Sequence, residues 1–325
     1  MSETEQPREH AAREAREWRH AGLDARTIES LRSELPMAQL QSMLIDVMAS
    51  RAESRRAADV MRQWRDDRFV RPAALGPREL MPVDAVLFDS AASFEAIELS
   101  PLTPAGTCSV VAPGSARRIV AAVRGGEVVS DPTNAMALEC ASRLREDPRR
   151  EVHLATSHRC VRAQPPPAGT GYAAHFRLFA MASAGHERAD RGFVADAVAV
   201  HIGVYLRALQ VLQQRGYGLV ERRLRLRCAA GHAVLADRVM QRLSYEGGLA
   251  LLSAPPAIEA LDHGYYDGGL RLMIDVGPGG GAPSVPLIDG GVFRWMHPLA
   301  GSRKFGFVAS AAGTQLLASR FAPAG

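Results

Sequence analysis

Val194, Val198, Ile202, Tyr205, Leu209 and Leu212 recur at intervals of three and four and stop before Gly216, a spacing that predicts one long helix with a continuous apolar face. A face of that length has to be buried, and short apolar runs on both sides of it supply a sheet for it to cover. Ahead of it, Val152 to Val161 and His175 to Ser183 read as the strands of an antiparallel hairpin, with residues 164–171 (Gln-Pro-Pro-Pro-Ala-Gly-Thr-Gly) as its long tip. After it come strands at Leu224 to Arg227, Leu270 to Val276 and Phe305 to Ser310, a glycine-rich tip at Gly277 to Gly281, and a closing helix from Thr314 to Ser319. This irregular alternation predicts an α+β fold, a mainly antiparallel sheet flanked by helices.

Residues 1 to about 69 read as a helical N-terminal segment, charged before Leu23 and apolar at Leu40, Leu44, Val47 and Met48. That stripe is too narrow to be a core by itself, which suits contact with a partner or a second copy. Pro72, Gly76, Pro77 and Pro82 mark a linker, so the segment and linker are expected over 1–80 and the core over 81–325. Inside the core, Ala85 to Phe88, Cys108 to Val111, Ile119 to Val123 and Glu127 to Val129 read as strands. Asn134 to Arg145 reads as a helix that Asp131 or Thr133 can cap, with Pro132 in its first turn.

With 325 residues, the chain holds one large domain or two modest ones. Its 39 basic and 35 acidic residues leave a net charge of +4, too small and too dispersed to establish nucleic-acid binding. All the basic residues but Lys304 are arginine, so arginine counts carry little meaning by themselves. Cys108, Cys140, Cys160 and Cys228 lie far apart without CxxC spacing, which indicates neither a zinc knuckle nor a disulfide framework. No run of 18 apolar residues exists and the N-terminus is charged, so the expectation is a cytoplasmic protein with no membrane partner.

Ser130-Asp131-Pro132-Thr133 delivers a carboxylate and hydroxyls at a strand-to-helix junction, where free backbone amides favour small polar ligands. An ordinary helix cap reads equally well from those residues. Arg162 and Gln164, with His175-Phe176-Arg177 beyond the loop, place a guanidinium and an amide on the hairpin, suited to a phosphate or a carboxylate or simply solvated. The glycines of Asp289-Gly290-Gly291 and of Gly306 to Gly313 permit close backbone approach, but fit neither the dinucleotide fingerprint nor the phosphate loop. The histidines lack metal-ligand spacing, no metal is expected, and no nucleophile motif supports a covalent mechanism.

Taken in order, these pieces resemble the catalytic core of class II aminoacyl-tRNA synthetases, the histidyl branch, from about residue 93 to residue 319. Asp131 and Thr133 match the "R-P-D/E-x-T" turn that helps hold the amino acid. Arg162 and Phe176 match motif 2, "R-x-E", loop, phenylalanine, which binds ATP with its arginine on the α-phosphate; Gln164 replaces the acid. Tyr265-Tyr266-Asp267-Gly268 is similar to "R-G-L-D-Y-Y-T-G", whose tyrosines line the substrate pocket, and Leu261 stands in the place of its arginine. Asp289-Gly290-Gly291-Val292-Phe293 resembles "G-G-G-R-Y-D". Gly306 to Leu317 resembles motif 3, "G-x-G-x-E-R-L", with Gln315 near the position of its ATP-binding arginine.

The resemblance therefore implies substrate contacts at Asp131, Thr133, Tyr265 and Tyr266, and nucleotide contacts at Arg162, Gln164, Phe176 and Gln315; it names no catalytic residue. It allows ATP and Mg²⁺ as cofactors, and implies a homodimer. Three altered positions argue against full charging of tRNA, since loss of one such donor costs about 10² to 10³ in rate. The sequence also runs only about ten residues past motif 3, where a histidyl enzyme continues into an anticodon-binding domain, so a tRNA partner is not expected. Three functions remain open. One is a regulatory or partner subunit that binds an amino acid or related small molecule, as the histidyl-like regulatory subunit of ATP phosphoribosyltransferase is. The second is an adenylate-forming ligase that passes an amino acid to a carrier protein or small molecule, and the third is a structural module with an inert pocket.

Overall fold

The computed structural model describes Trp18, residues 20–164 and residues 172–323. The hairpin tip at 165–171 and the charged stretch 1–17, both assigned above, lie outside the described residues. Contacts divide the chain into a smaller unit ending at Arg62, to which Val123–Gly125 belong, and a main unit of Gln63–Ala122 and Gly126 onward.

In the smaller unit, Asp24 caps helix α1 (Ala25–Glu29) by accepting from the Thr27 amide at 2.7 Å. A π-turn follows, then α2 (Met37–Glu53); the last residues of α3 (Ala57–Asp66) belong to the main unit. The apolar stripe lies on α2, where Leu44, Val47 and Met48 stay exposed.

The expected linker yields at Pro77, which opens α4 (Pro77–Ser90). Ala85 to Phe88 is thus helical rather than a strand, and Leu80, Val83 and Leu87 form its buried face. Four apolar residues are too few to separate a period of 2 from one of 3.6. Cys108 to Val111 is likewise a π-turn (Thr107–Val111) rather than a strand, and of Ile119 to Val123 only β3 (Ala121–Ala122) pairs. With β2 (Leu102–Pro104) and β4 (Gly126–Val128), β3 forms a small sheet in the order β2-β4-β3.

The main sheet has eight strands. They are β1 (Glu95–Ala96), β5 (Val152–Val161), β6 (His175–His186), β7 (Glu221–Cys228), β8 (Ala257–Ala260), β9 (Leu270–Gly277), β10 (Val285–Val292) and β11 (Phe305–Ala312). The order is β1-β5-β6-β11-β10-β9-β7-β8. The central pairings are antiparallel, but β1 joins β5 and β8 joins β7 in parallel, so the sheet is mixed at both edges. Parallel neighbours need a helical crossover. Here α5 (Pro132–Glu146) lies between β1 and β5, and α7 (Ala233–Tyr245) between β7 and β8.

Helix α6 (Gly192–Gln214) carries the predicted stripe, packed with Leu226, Leu272, Ile274 and Val308 of the sheet. Its length and apolarity match a membrane-crossing helix, yet most of it is buried in this core. On the other face, Met136, Cys140 and Leu144 of α5 meet Ala180, Ala182, Phe293 and Phe307. Two short helices, α8 (Met296–Ala300) and α9 (Thr314–Phe321), complete the unit.

Candidate functional site

The junction between β4 and α5 forms as an extended residue followed by a proline at the first helical position. Asp131 accepts at Oδ1 from the Thr133 amide (3.0 Å) and the Thr133 hydroxyl (2.7 Å). The cap is therefore real, and it leaves Oδ2 for Arg162 Nη2 at 3.4 Å. Arg162 follows directly on β5, where its backbone amide donates to Ala174 O (2.9 Å). Its Nε donates to Ser130 O (3.1 Å), and the guanidinium lies 5.0 Å from the Phe176 ring centroid. Backbone, carboxylate and ring hold the guanidinium from three sides, so its direction is fixed before any ligand arrives.

Facing them, Tyr265 and Tyr266 pack edge to face with Phe293 close to both. Burial, then the nearby Asp131 charge, pushes the Tyr265 phenol well above its ordinary range, so it stays protonated. Its hydroxyl makes no hydrogen bond among the described residues and can donate to a ligand. Tyr266 instead donates to Asp289 Oδ1 (2.8 Å), and Arg271 grips the same carboxylate through Nε (3.0 Å) and Nη2 (2.7 Å).

The third wall comes from β6, β11 and α9. Gln315 accepts from Arg159 Nη1 (3.2 Å), which also meets His175 Nδ1 (3.0 Å). Arg177 pairs with Asp84 of α4 (2.9 Å), and Ser157 donates to the same carboxylate (2.8 Å). Asp131, Thr133, Arg162, Gln164, Phe176, Tyr265, Tyr266 and Gln315 all line one cavity of about 450 Å³. Leu261 stands beside it in the second core cluster.

Sequence reasoning misses Arg271 and Asp84, and gives Arg159 and Arg177 no role of their own. In an arginine-rich chain a strand arginine has no distinguishing mark, and the α4 carboxylate is hidden in a segment that reads as linker and strand. Asp289-Gly290-Gly291, read as ligand-approach glycines, lies inside β10, where Asp289 and Gly290 line the cavity and Gly291 does not. A Cβ on Gly291 would meet the Tyr266 ring at 2.6 Å, so the glycine makes room for the tyrosine.

Three solved structures share this arrangement of strands and helices, each with a TM-score of 0.54. The first is apo histidyl-tRNA synthetase from S. aureus, 12% identical over 74% of this chain. The second, an ATP phosphoribosyltransferase regulatory subunit/histidyl-tRNA synthetase from Bacillus halodurans, is 15% identical over 76%. The main unit has the class II synthetase fold. The third, a threonyl-tRNA synthetase RNA-binding domain from Cryptosporidium parvum, is 8% identical over 74% of this chain, so the fold reaches beyond the histidyl branch. This chain spans 64%, 80% and 63% of those three chains respectively. No family model and no curated protein sequence matches it.

Proposed function

We propose that this protein is a histidyl-synthetase-like paralogue whose cavity binds an amino acid or a related zwitterion, and that it acts as a regulatory or partner subunit without charging tRNA. The observation that carries the reading is how the cations around the cavity are engaged. Arg177 is neutralised by Asp84, and Arg159 is turned onto Gln315 and His175. Arg162 presents its guanidinium to the cavity beside the Asp131 carboxylate and the Tyr265 phenol, a set suited to one carboxylate and one ammonium.

The reading gives ATP and Mg²⁺ a lesser part than the amino acid. Asp131 and Asp289, the carboxylates on the described lining of the cavity, are each held by an arginine, so neither is free to meet a cation without giving up that partner. The proposal includes a homodimer and a protein partner, by analogy with the regulatory-subunit relative.

Thermal melts with each of the twenty amino acids, with and without ATP and Mg²⁺, test this directly. At 100 times its Kd a ligand adds about 2.7 kcal/mol, and the melting temperature rises accordingly. Arg162→Ala should weaken the responding amino acid by roughly 10- to 100-fold, the worth of a charge-assisted hydrogen bond of about 1.5 to 3 kcal/mol. Strong ATP-dependent stabilisation with pyrophosphate exchange, lost in Arg162→Ala, would replace this reading with the adenylate-forming ligase.

A further inference from the structure

At the other end of the sheet, where β6, β7 and β10 end and β9 and β11 begin, five basic side chains gather outside the cavity. They are Arg191, His232, Arg294, His297 and Arg303. Arg191 Nη1 donates to His232 Nδ1 (3.1 Å) and to Gly268 O (3.0 Å). The Gly268 amide in turn donates to Val292 O (3.1 Å), and the His297 amide to Arg294 O (2.9 Å), which knits the group into one patch.

The three guanidiniums of this patch lack the carboxylate partner that several arginines elsewhere in the main unit have. Arg143, Arg177, Arg225, Arg227 and Arg271 each face a carboxylate. Arg191 hydrogen-bonds only a carbonyl and an imidazole, with the Glu187 charge nearby but not in contact, and the Arg294 and Arg303 guanidiniums have no hydrogen bond or ion pair among the described residues. The nearby carboxylates are occupied. Glu187 Oε1 accepts from the Phe193 amide (2.9 Å), Asp267 Oδ1 from the Arg294 amide (2.8 Å), and Asp190 from Arg238 (2.9 Å). Burial first, then Arg191 and Arg294, holds the His232 imidazole below its ordinary range. For His297 the order is burial, then Arg294 and Arg303.

The backbone is strained where it aims this patch. Asp190 and Arg191 are consecutive non-glycine residues in the left-handed region, at φ 54° and 61°, each costing about 1 to 2 kcal/mol. Arg238 braces the turn by binding both the carbonyl and the carboxylate of Asp190, each at 2.9 Å. A braced, strained turn thus holds one guanidinium close to a second and to two imidazoles, a geometry suited to receiving an anion.

We propose that Arg191, Arg294 and Arg303, with His232 and His297, form a phosphate-binding site for a small phosphorylated ligand, separate from the amino-acid cavity. A phosphoryl group carries enough charge and enough acceptor oxygens to engage several guanidiniums together. A nucleic-acid backbone fits less well, because it needs cations in a row, and here Glu187, Asp190 and Asp267 interrupt the patch.

Inorganic phosphate is the probe, titrated into the full chain in a phosphate-free buffer and followed by calorimetry and thermal melting. Arg294 and Arg303 are exposed, so Arg294→Ala/Arg303→Ala should fold normally and lose at least about tenfold in phosphate affinity. Arg162→Ala should retain the phosphate response, which separates this site from the cavity. A phosphomonoester such as glycerol phosphate that binds more tightly than inorganic phosphate would identify an organic phosphate as the ligand. Equal binding by wild type and the double variant, loss of the response in Arg162→Ala, or binding of single-stranded DNA without any binding of phosphate would each overturn the assignment.

Discussion

Acidification from pH 7 to pH 4 should cost the main unit roughly 3 kcal/mol through His201 alone, at about 1.4 kcal/mol per pH unit below its unfolded value. His201 is fully buried between α6 and the sheet, and burial depresses its imidazole from 6.5 to about 3. With a folded value below the unfolded one, the unfolded chain takes up a proton that the native state refuses. Stability is then full above pH 6.5 and falls as the pH drops toward 3.

The neutral ring is held by neighbours that need it neutral. Ser310 donates to Tyr205 (3.2 Å), so His201 donates from Nδ1 to Ser310 (2.8 Å) and accepts at Nε2 from Ser183 (2.9 Å). In His201→Leu, Ser183 keeps its bond to His153 (2.9 Å) and Ser310 keeps Tyr205, so the variant should still fold and lose about 2 kcal/mol or less at pH 7. Urea melts at pH 7 and pH 4 decide the matter. The gap between wild type and variant should close or reverse at pH 4, because carboxylates lost to acid are common to both. A gap of the same size at both pH values would remove His201 as the acid-sensitive group.

What can be read in the sequence follows how many residues share a signal. The helix α6 is legible because its stripe runs from Val194 to Leu212 along a helix of 23 residues, and the β5–β6 hairpin because two long strands flank a proline-rich tip. Short apolar runs fail in both directions. Ala85 to Phe88 is part of α4, and α7 escapes notice although Leu235, Val239 and Leu243 repeat every four residues and are buried. Strand β10 is hidden by its own glycines, which depress strand propensity wherever they appear.

The cavity is legible to the same degree for a different reason. Asp131, Thr133 and Arg162 sit at fixed offsets from a turn and a hairpin, so local pattern brings them forward and the resemblance to class II synthetases gives them a role. Asp289 and Arg271 meet only because β9 and β10 pair in a register that puts Arg271 opposite Gly291. Register is set by tertiary packing and by the turn between strands, and the Gly277 to Gly281 tip leaves it open in sequence. Asp84 reaches Arg177 across 93 residues for the same reason. Such pairs carry no one-dimensional mark.

Gly291 shows how a glycine can serve the site without lining it, and Gly291→Ala should be strongly destabilising. The new Cβ would stand 2.6 Å from Tyr266 Cδ1 and closer still to the Leu270 carbonyl oxygen. The ring could swing aside, but the carbonyl belongs to β9 and cannot yield without opening the sheet, so overpacking should cost at least about 2 kcal/mol. Any relief also moves Tyr266 off Asp289, which releases the grip of Arg271 and deforms the cavity wall. Gly264→Ala is the matched control. It lies beside the same tyrosines, a Cβ added there would meet nothing within 4 Å, and the variant should stay within about 0.5 kcal/mol of wild type. Denaturant midpoints read the stability, and near-ultraviolet circular dichroism reads the Tyr265, Tyr266, Phe293 and Trp295 cluster. If Gly291→Ala keeps both the wild-type midpoint and the wild-type aromatic spectrum, the close approach of Tyr266 to β10 is not a feature of the folded protein.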